Sequence, residues 1–224
     1  MKKIGIIGGM GPAATIDLLQ KIYSHDKVAN EQQHLQVLVN FDPSVLDRSW
    51  AVRNGETAQL LAHLSNNAIA LAAQGASLLA IACNTAHVVL PDLQKNVNVP
   101  FVDMVEETVN FSLTKSRGGI GILATDGTLE AGLYTLRLVA AGRQVVLPNP
   151  AEQQQLMDTI YRVKEGFLEG RDRVLKIKES LHSRGAELVI AACTELPLLT
   201  PNEHALVDAN DILARVLVNR ARGT

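Results

Sequence analysis

Aromatic side chains are scarce in this chain, at 4% of 224 residues with a single tryptophan. Its core must be built from Ala, Leu, Val and Ile, which suits close packing of helices on a sheet. Cysteine is scarcer still, with two residues. Two cysteines far apart in sequence make neither a zinc signature nor a disulfide framework, so reduced thiols in a cytoplasmic protein are expected. Neither sign of charge dominates: the formal net charge is −2, and there is no block of basic residues. Nucleic acid and anionic membrane are therefore not expected as partners. No apolar run approaches the ~18 residues of a membrane span. The apolar segment after Met1-Lys2-Lys3 is short and lacks a small-residue cleavage site, which argues against a signal peptide. The length allows one large or two modest domains with a sizeable core.

What is present is an alternation of short apolar runs with segments of helical period, the pattern of an α/β fold with largely parallel sheets. Strands are expected at 3–7, 35–41, 78–82 and 100–102. Helices are expected at 13–29, with Ile16, Leu19, Ile22 and Tyr23 on one face, and at 56–74, where Leu60, Leu61, Leu64, Ala68 and Leu71 recur at helical spacing. The polar stretch Ser112 to Gly119 then breaks the pattern, and the motifs recur. Ile4-Gly5-Ile6-Ile7-Gly8 is echoed by Ile120-Gly121-Ile122-Leu123-Ala124. Gly75-Ala76 is echoed by Gly185-Ala186, and Pro100-Phe101-Val102-Asp103 by Ala205-Leu206-Val207-Asp208. Three echoes in the same order at similar spacing indicate a duplicated αβ unit. They imply two pseudo-symmetric lobes, each with a mainly parallel sheet flanked by helices, and a site in the cleft between them. The boundaries expected are 1–103 plus 208–224 for the first lobe and 104–207 for the second, with the last helix crossing back onto the first.

The two cysteines stand at matching places in this repeat. Cys83 ends the run Ser77 to Ala82, and Cys193 ends the run Glu187 to Ala192. Each thiol should sit where a strand opens into a loop, which is where open α/β sheets bind ligands. A lone free cysteine is usually a small buried hydrophobe. Two of them, brought face to face from two lobes, form an acid and a base of the same type. Such a pair can take a proton from one face of a carbon and return one to the other, which points to racemisation or epimerisation without a cofactor. The α-proton of an amino acid is poorly acidic, so directed donors in a dry cleft must stabilise the developing charge. Thr125 and Thr128, after the fifth apolar run, are placed to supply them, though capping a helix near 129–141 would also account for them.

Gly8-Gly9-Met10-Gly11-Pro12-Ala13-Ala14 follows the first strand and opens a helix. It matches the loose dinucleotide fingerprint, but no acidic residue lies at the end of the second strand about 20 residues on. An anion site for a carboxylate at the helix N-terminus is the better reading, with a tight turn as the plain alternative. Pro12 should take the first helical position. Arg48 in the loop 42–55 has the planar fork that grips a carboxylate. Lys164 lies near a helix end. Singly, an Arg or Lys is more often just solvated. His87, one turn beyond Cys83, either tunes the thiol or packs on the helix.

These motifs together resemble the cofactor-independent aspartate/glutamate racemase family, within its aspartate racemase branch. The resemblance runs from Ile4 to about Asp208. It rests on Gly8 to Thr15, Asp47-Arg48, Cys83-Asn84-Thr85-Ala86-His87, Ala124 to Thr128, Lys164, and Cys193-Thr194-Glu195-Leu196-Pro197. Glutamate racemases carry an Asp-Ser pair in the first loop and a His after the second Cys-Thr. Gly9-Met10 and Glu195 stand there instead. The resemblance implies that Cys83 and Cys193 are the two-base pair. It implies that Arg48 and Lys164 bind the substrate carboxylates, with Met10, Asn84, Thr85 and Thr194 lining the pocket. It also implies a homodimer with no pyridoxal phosphate and no metal. The expected substrate is a small dicarboxylic amino acid, aspartate first and glutamate second. The rival readings are an isomerase or decarboxylase of another small diacid on the same fold (maleate isomerase, for example), a non-catalytic amino-acid-binding protein and, more distantly, a dinucleotide-dependent oxidoreductase.

Overall fold

A computed structural model describes residues 1–223. The chain runs β1 (Ile4–Gly8), α1 (Pro12–His25), β2 (Val37–Phe41), α2 (Arg48–Arg53), α3 (Thr57–Ala73), β3 (Leu78–Ile81), α4 (Leu90–Asn96), β4 (Phe101–Val102) and α5 (Met104–Lys115). It continues through β5 (Gly119–Ala124), α6 (Asp126–Glu130), α7 (Thr135–Ala140), β6 (Val145–Val146), α8 (Pro150–Lys164), α9 (Arg171–Ser183), β7 (Ala186–Ala192), α10 (Leu196–Leu199), β8 (Leu206–Asp208) and α11 (Ala209–Arg222). Two four-stranded parallel sheets have the orders β2-β1-β3-β4 and β6-β5-β7-β8, the same topology twice. β1, β3 and β5 are buried along their whole length. Strands buried on both faces of a parallel sheet read as unbroken apolar runs, which is why they could be placed from sequence to within a residue or two.

The repeated glycines mark one packing event, made twice. A Cβ at Gly5 would lie 2.6 Å from Leu79 Cδ2, and one at Gly121 would lie 3.0 Å from both Leu181 Cδ1 and Val189 Cγ2. Only a bare backbone lets those neighbours close over the central strand. The repeated aspartates are helix caps. Asp103 accepts from the amides of Val105 and Glu106 at the start of α5, and Asp208 from those of Asn210 and Asp211 at the start of α11. The two capped helices change sides. Val105 and Val109 of α5 pack with Ile120 and Ile122 in the second core, while Leu213 and Leu217 of α11 pack with Ile4 and Ile6 in the first.

Three local expectations are corrected. α1 buries Ala14, Thr15, Leu18 and Ile22. Ile16 and Tyr23 face solvent at 59% and 65% exposure, because α11 packs on the face that carries the small residues. The single helix expected near 129–141 is two short ones, α6 and α7, separated by a turn in which Gly132 has φ +63. α5 itself went unseen, since its buried face includes Thr108 and Ser112, whose hydroxyls bond back to the carbonyls of Met104 and Thr108.

Candidate active site

In both sheets the strand order reverses beside the first strand of the lobe. The loops after β1 and β3 therefore diverge, as do those after β5 and β7, and each crevice opens at the strands' C-terminal ends. Cys83 and Cys193 sit just past the ends of β3 and β7, each 5% exposed and neither in a disulfide. One narrow pocket between the lobes is lined by both thiols. Arg48, Asn84, Thr85, Thr125, Lys164 and Thr194 also line it.

The lobes meet across this pocket through hydroxyls and charges. Thr85 Oγ1 lies 2.9 Å from both Thr125 Oγ1 and Thr128 Oγ1, which are 3.1 Å from each other. Thr125 also caps α6 by accepting from the Thr128 amide. Arg53 reaches Asp126 at 2.9 Å, and Tyr161 Oη donates to Asp47 at 3.3 Å. α2 and α6 touch backbone to backbone, since a Cβ at Gly127 would fall 2.6 Å from Ser49 Cα.

Arg48 begins α2, where Asp47 caps the helix by accepting from the Trp50 amide. Its Nη1 donates to the carbonyls of Val45 and Leu46, both at 3.1 Å. Burial, the largest influence, works to lower its pKa, but the neighbouring Cys83 sulfur and Asp47 carboxylate outweigh it, so the guanidinium stays charged. Asn84 Oδ1 accepts from Tyr134 Oη at 2.5 Å. Among the described residues, Arg48 Nε and Asn84 Nδ2 are buried donors without an acceptor.

Around Cys193 the dominant group is Glu195, 2% exposed. Its Oε2 accepts from Cys193 Sγ at 3.0 Å and from Thr194 Oγ1 at 3.3 Å. Its Oε1 pairs with Lys164 Nζ at 3.1 Å and accepts from the Gly11 amide at 3.3 Å. Burial, the largest influence, works to raise the Glu195 pKa. The Lys164 charge and the bonds from Cys193 and Lys164 outweigh it, so the carboxyl titrates below its ordinary range. Burial and the Glu195 charge together push the Cys193 thiol well above its ordinary range.

The model of the Asp/Glu/Hydantoin racemase family matches residues 7–217. The chain belongs to this family. An aspartate racemase of Picrophilus torridus is 27% identical and superposes with a TM-score of 0.86, over 98% of this chain and 94% of that one. An aspartate racemase homologue of Pyrococcus horikoshii is 30% identical with a TM-score of 0.79, over 99% and 100%. The broad specificity amino-acid racemase RacX of Bacillus subtilis is 25% identical over 96% of each chain.

Within this racemase fold, Cys83, Cys193, Arg48, Asn84, Thr85, Thr125, Lys164 and Thr194 line one pocket, and Thr128 stands behind it, bonded to Thr85 and Thr125. Met10 does not line it. It is 1% exposed and packs with Ile7, Val45 and Cys83 in the core of the first lobe. The glycine-rich loop does present an amide to a carboxylate, but that carboxylate is Glu195 from the other lobe. His87 supports the chain rather than the thiol. Its Nε2 accepts from the Met104 amide at 3.2 Å, so its Nδ1 carries the proton and donates to the Cys83 carbonyl at 2.8 Å. Burial keeps its pKa low and the ring neutral. Tyr134 was not among the sequence candidates, and Glu195 and Asp47 entered only as parts of the motifs around Cys193 and Arg48. An acidic residue placed directly before the apolar Leu196-Pro197-Leu198-Leu199 was the available signal for Glu195, because burying an ionised group demands a partner. Among the described residues, no helix is long and apolar enough to cross a membrane, and no three His, Cys, Asp or Glu are grouped to hold a metal ion.

Proposed function

We propose that this racemase-family protein interconverts L- and D-aspartate, with glutamate as a second substrate, by proton transfer between two cysteines at the α-carbon and without pyridoxal phosphate. The observation that carries the reading is the pair of orphan donors. Among the described residues, Arg48 Nε and Asn84 Nδ2 are buried without acceptors, and both residues line the pocket of the two thiols. A buried unpaired polar group costs roughly 1–3 kcal/mol, and a carboxylate offers oxygens to both donors at once. Lys164 uses one of its donors on Glu195 and, with three N–H groups, keeps others for a second carboxylate. A dicarboxylic amino acid matches that donor set and the two cations better than a hydantoin, which carries no carboxylate.

In the reaction one sulfur takes the α-proton while the other delivers its own to the opposite face. The electrons left on the α-carbon spread into the α-carboxylate, whose growing charge Arg48 and Asn84 stabilise. The Thr85 and Thr125 hydroxyls, which line the pocket, supply further donors.

Proton NMR of L-aspartate with the reduced protein in D₂O, without added cofactor, tests this. Loss of the α-proton signal with gain of D-aspartate is expected. No exchange sinks the aspartate reading and directs attention to maleate and malonates. Binding in calorimetry with no exchange would instead mark an amino-acid-binding protein. The match to a broad specificity amino-acid racemase over 96% of each chain favours one second reading, turnover of amino acids beyond the dicarboxylic ones, and the same assay with alanine and lysine decides it.

A further inference from the structure

The two thiols have different surroundings. Cys83 shares the pocket with the Arg48 guanidinium, while Cys193 donates to the Glu195 carboxylate. Glu195 is held in one orientation by bonds on its other oxygen, to Lys164 and to the Gly11 amide. That leaves Oε2 aimed at Cys193 Sγ, 3.0 Å away. An ionised carboxylate only accepts, so the hydrogen on this line belongs to the sulfur. The titratable and charged groups of the pocket are Glu195 and Cys193 after β7, Lys164 at the end of α8, Tyr161 within α8, Arg48 and Asp47 at the start of α2, and Cys83 after β3, with Tyr134 buried behind Asn84. Of these, only Glu195 touches the Cys193 sulfur.

We propose that Glu195 is a positioning residue that sets the resting proton distribution, holding Cys193 as the thiol and leaving Cys83, beside Arg48, as the base of the free enzyme. This rests on the two-cysteine reading above. In one turnover the Cα–H bond breaks and its proton joins Cys83 sulfur. The proton on Cys193 passes to the other face of Cα, and its bonding pair stays on that sulfur. Product release leaves a thiol at 83 and a thiolate at 193, beside the negative Glu195. Like charges that close disfavour this form. It returns to rest by releasing a proton from Cys83 to water and taking one up at Cys193, with no net change in protons. The enantiomer served by Cys83 therefore meets a ready enzyme, and its mirror image must wait for the minor form. Enantiomers have equal free energy, so kcat/KM is the same in both directions, and the asymmetry shows as kcat and KM differing by a common factor.

The test titrates the ultraviolet band of the thiolate in a Cys83→Ser background, where Cys193 is the only thiol and no substrate is present, with the tyrosinate band subtracted by means of a Cys83→Ser/Cys193→Ser variant. Adding Glu195→Gln removes the negative neighbour and leaves the Lys164 cation, so the Cys193 midpoint should fall by about one pH unit or more. Adding Lys164→Gln instead should raise it, and Glu195→Asp should restore most of the parent value. In the enzyme with both cysteines, Glu195→Gln should bring the two kcat values closer together. An unchanged midpoint in a folded Glu195→Gln protein overturns the proposal. If that variant does not fold, a fall in the Lys164→Gln midpoint overturns it equally. A shifted midpoint without racemisation would sink the aspartate reading alone, and racemisation with unshifted midpoints would sink the Glu195 assignment alone.

Discussion

Gly127→Ala is the sharpest probe of how the two lobes are joined. The added Cβ would lie 2.6 Å from Ser49 Cα, 3.0 Å from Ser49 Oγ and 3.1 Å from Ser49 Cβ. The nearest of these is backbone, so no side-chain rotation relieves the clash. α2 and α6 must separate by roughly an ångström to restore an ordinary contact near 3.5–4.0 Å. Overpacking of this kind costs about 1–3 kcal/mol, and for a chain of this size each kcal/mol lowers Tm by about 2–4 °C. The melting temperature should therefore fall by roughly 2–12 °C. The effect on the site is specific, because α2 begins with Arg48 and α6 is capped by Thr125. Moving them apart should raise KM for aspartate about tenfold or more, the loss of a charge-assisted bond worth roughly 1.5–3 kcal/mol. Gly142→Ala is the control. Its φ of +72 strains an alanine, but nothing lies within 4 Å of the new Cβ. It should lose stability and leave KM unchanged. Calorimetric melts and racemisation kinetics on both variants decide the matter. Equal stability losses with no change in KM for Gly127→Ala would refute the close inter-lobe contact and its role in placing Arg48.

Replacing either Cys83 or Cys193 by Ala should abolish conversion of L- to D-aspartate, while a single variant can still wash the α-proton into D₂O through the remaining sulfur; normal racemisation by either would rule out two bases. Asn84→Ala removes the unpaired Nδ2 and frees Tyr134 Oη, so KM should rise about tenfold on loss of a bond to a charged group, measured by initial rates. His87→Ala leaves the Cys83 carbonyl and the Met104 amide unpaired in the core and should cost roughly 2–5 kcal/mol from two orphaned groups and a cavity, read from urea unfolding. Glu195 titrates below its ordinary 4.5 in the folded protein, so its stabilising contribution is complete above that value and is lost as pH falls through the lower folded value. Between pH 5 and 3, then, the parent should lose stability more steeply than Glu195→Gln, and parallel melting curves would contradict the buried Lys164–Glu195 pair.

Much of the architecture was legible from local pattern. Central parallel strands are buried on both faces, so β1, β3, β5 and β7 are written as apolar runs that need no tertiary knowledge to find. The duplication was visible because each echoed residue does the same local job twice: Gly5 and Gly121 admit close neighbours, and Asp103 and Asp208 cap a helix. The cysteines stood out by their scarcity and by their place at strand ends. Pairwise facts between distant segments were not legible. α1 buries Leu18 rather than Tyr23 only because α11, nearly two hundred residues later, packs there. Met10 falls in the core because the loop turns it away from the cleft. The sequence by itself determined the doubled α/β unit and the two thiols at its matching strand ends, since periodicity and strand termini are properties of neighbouring residues. Tertiary structure alone decided that Glu195 couples Cys193 to Lys164 and the first-lobe loop, and that Arg48 Nε and Asn84 Nδ2, in residues lining the pocket, are buried without partners among the described residues. What satisfies a buried polar group is known only when the chain has brought distant segments together.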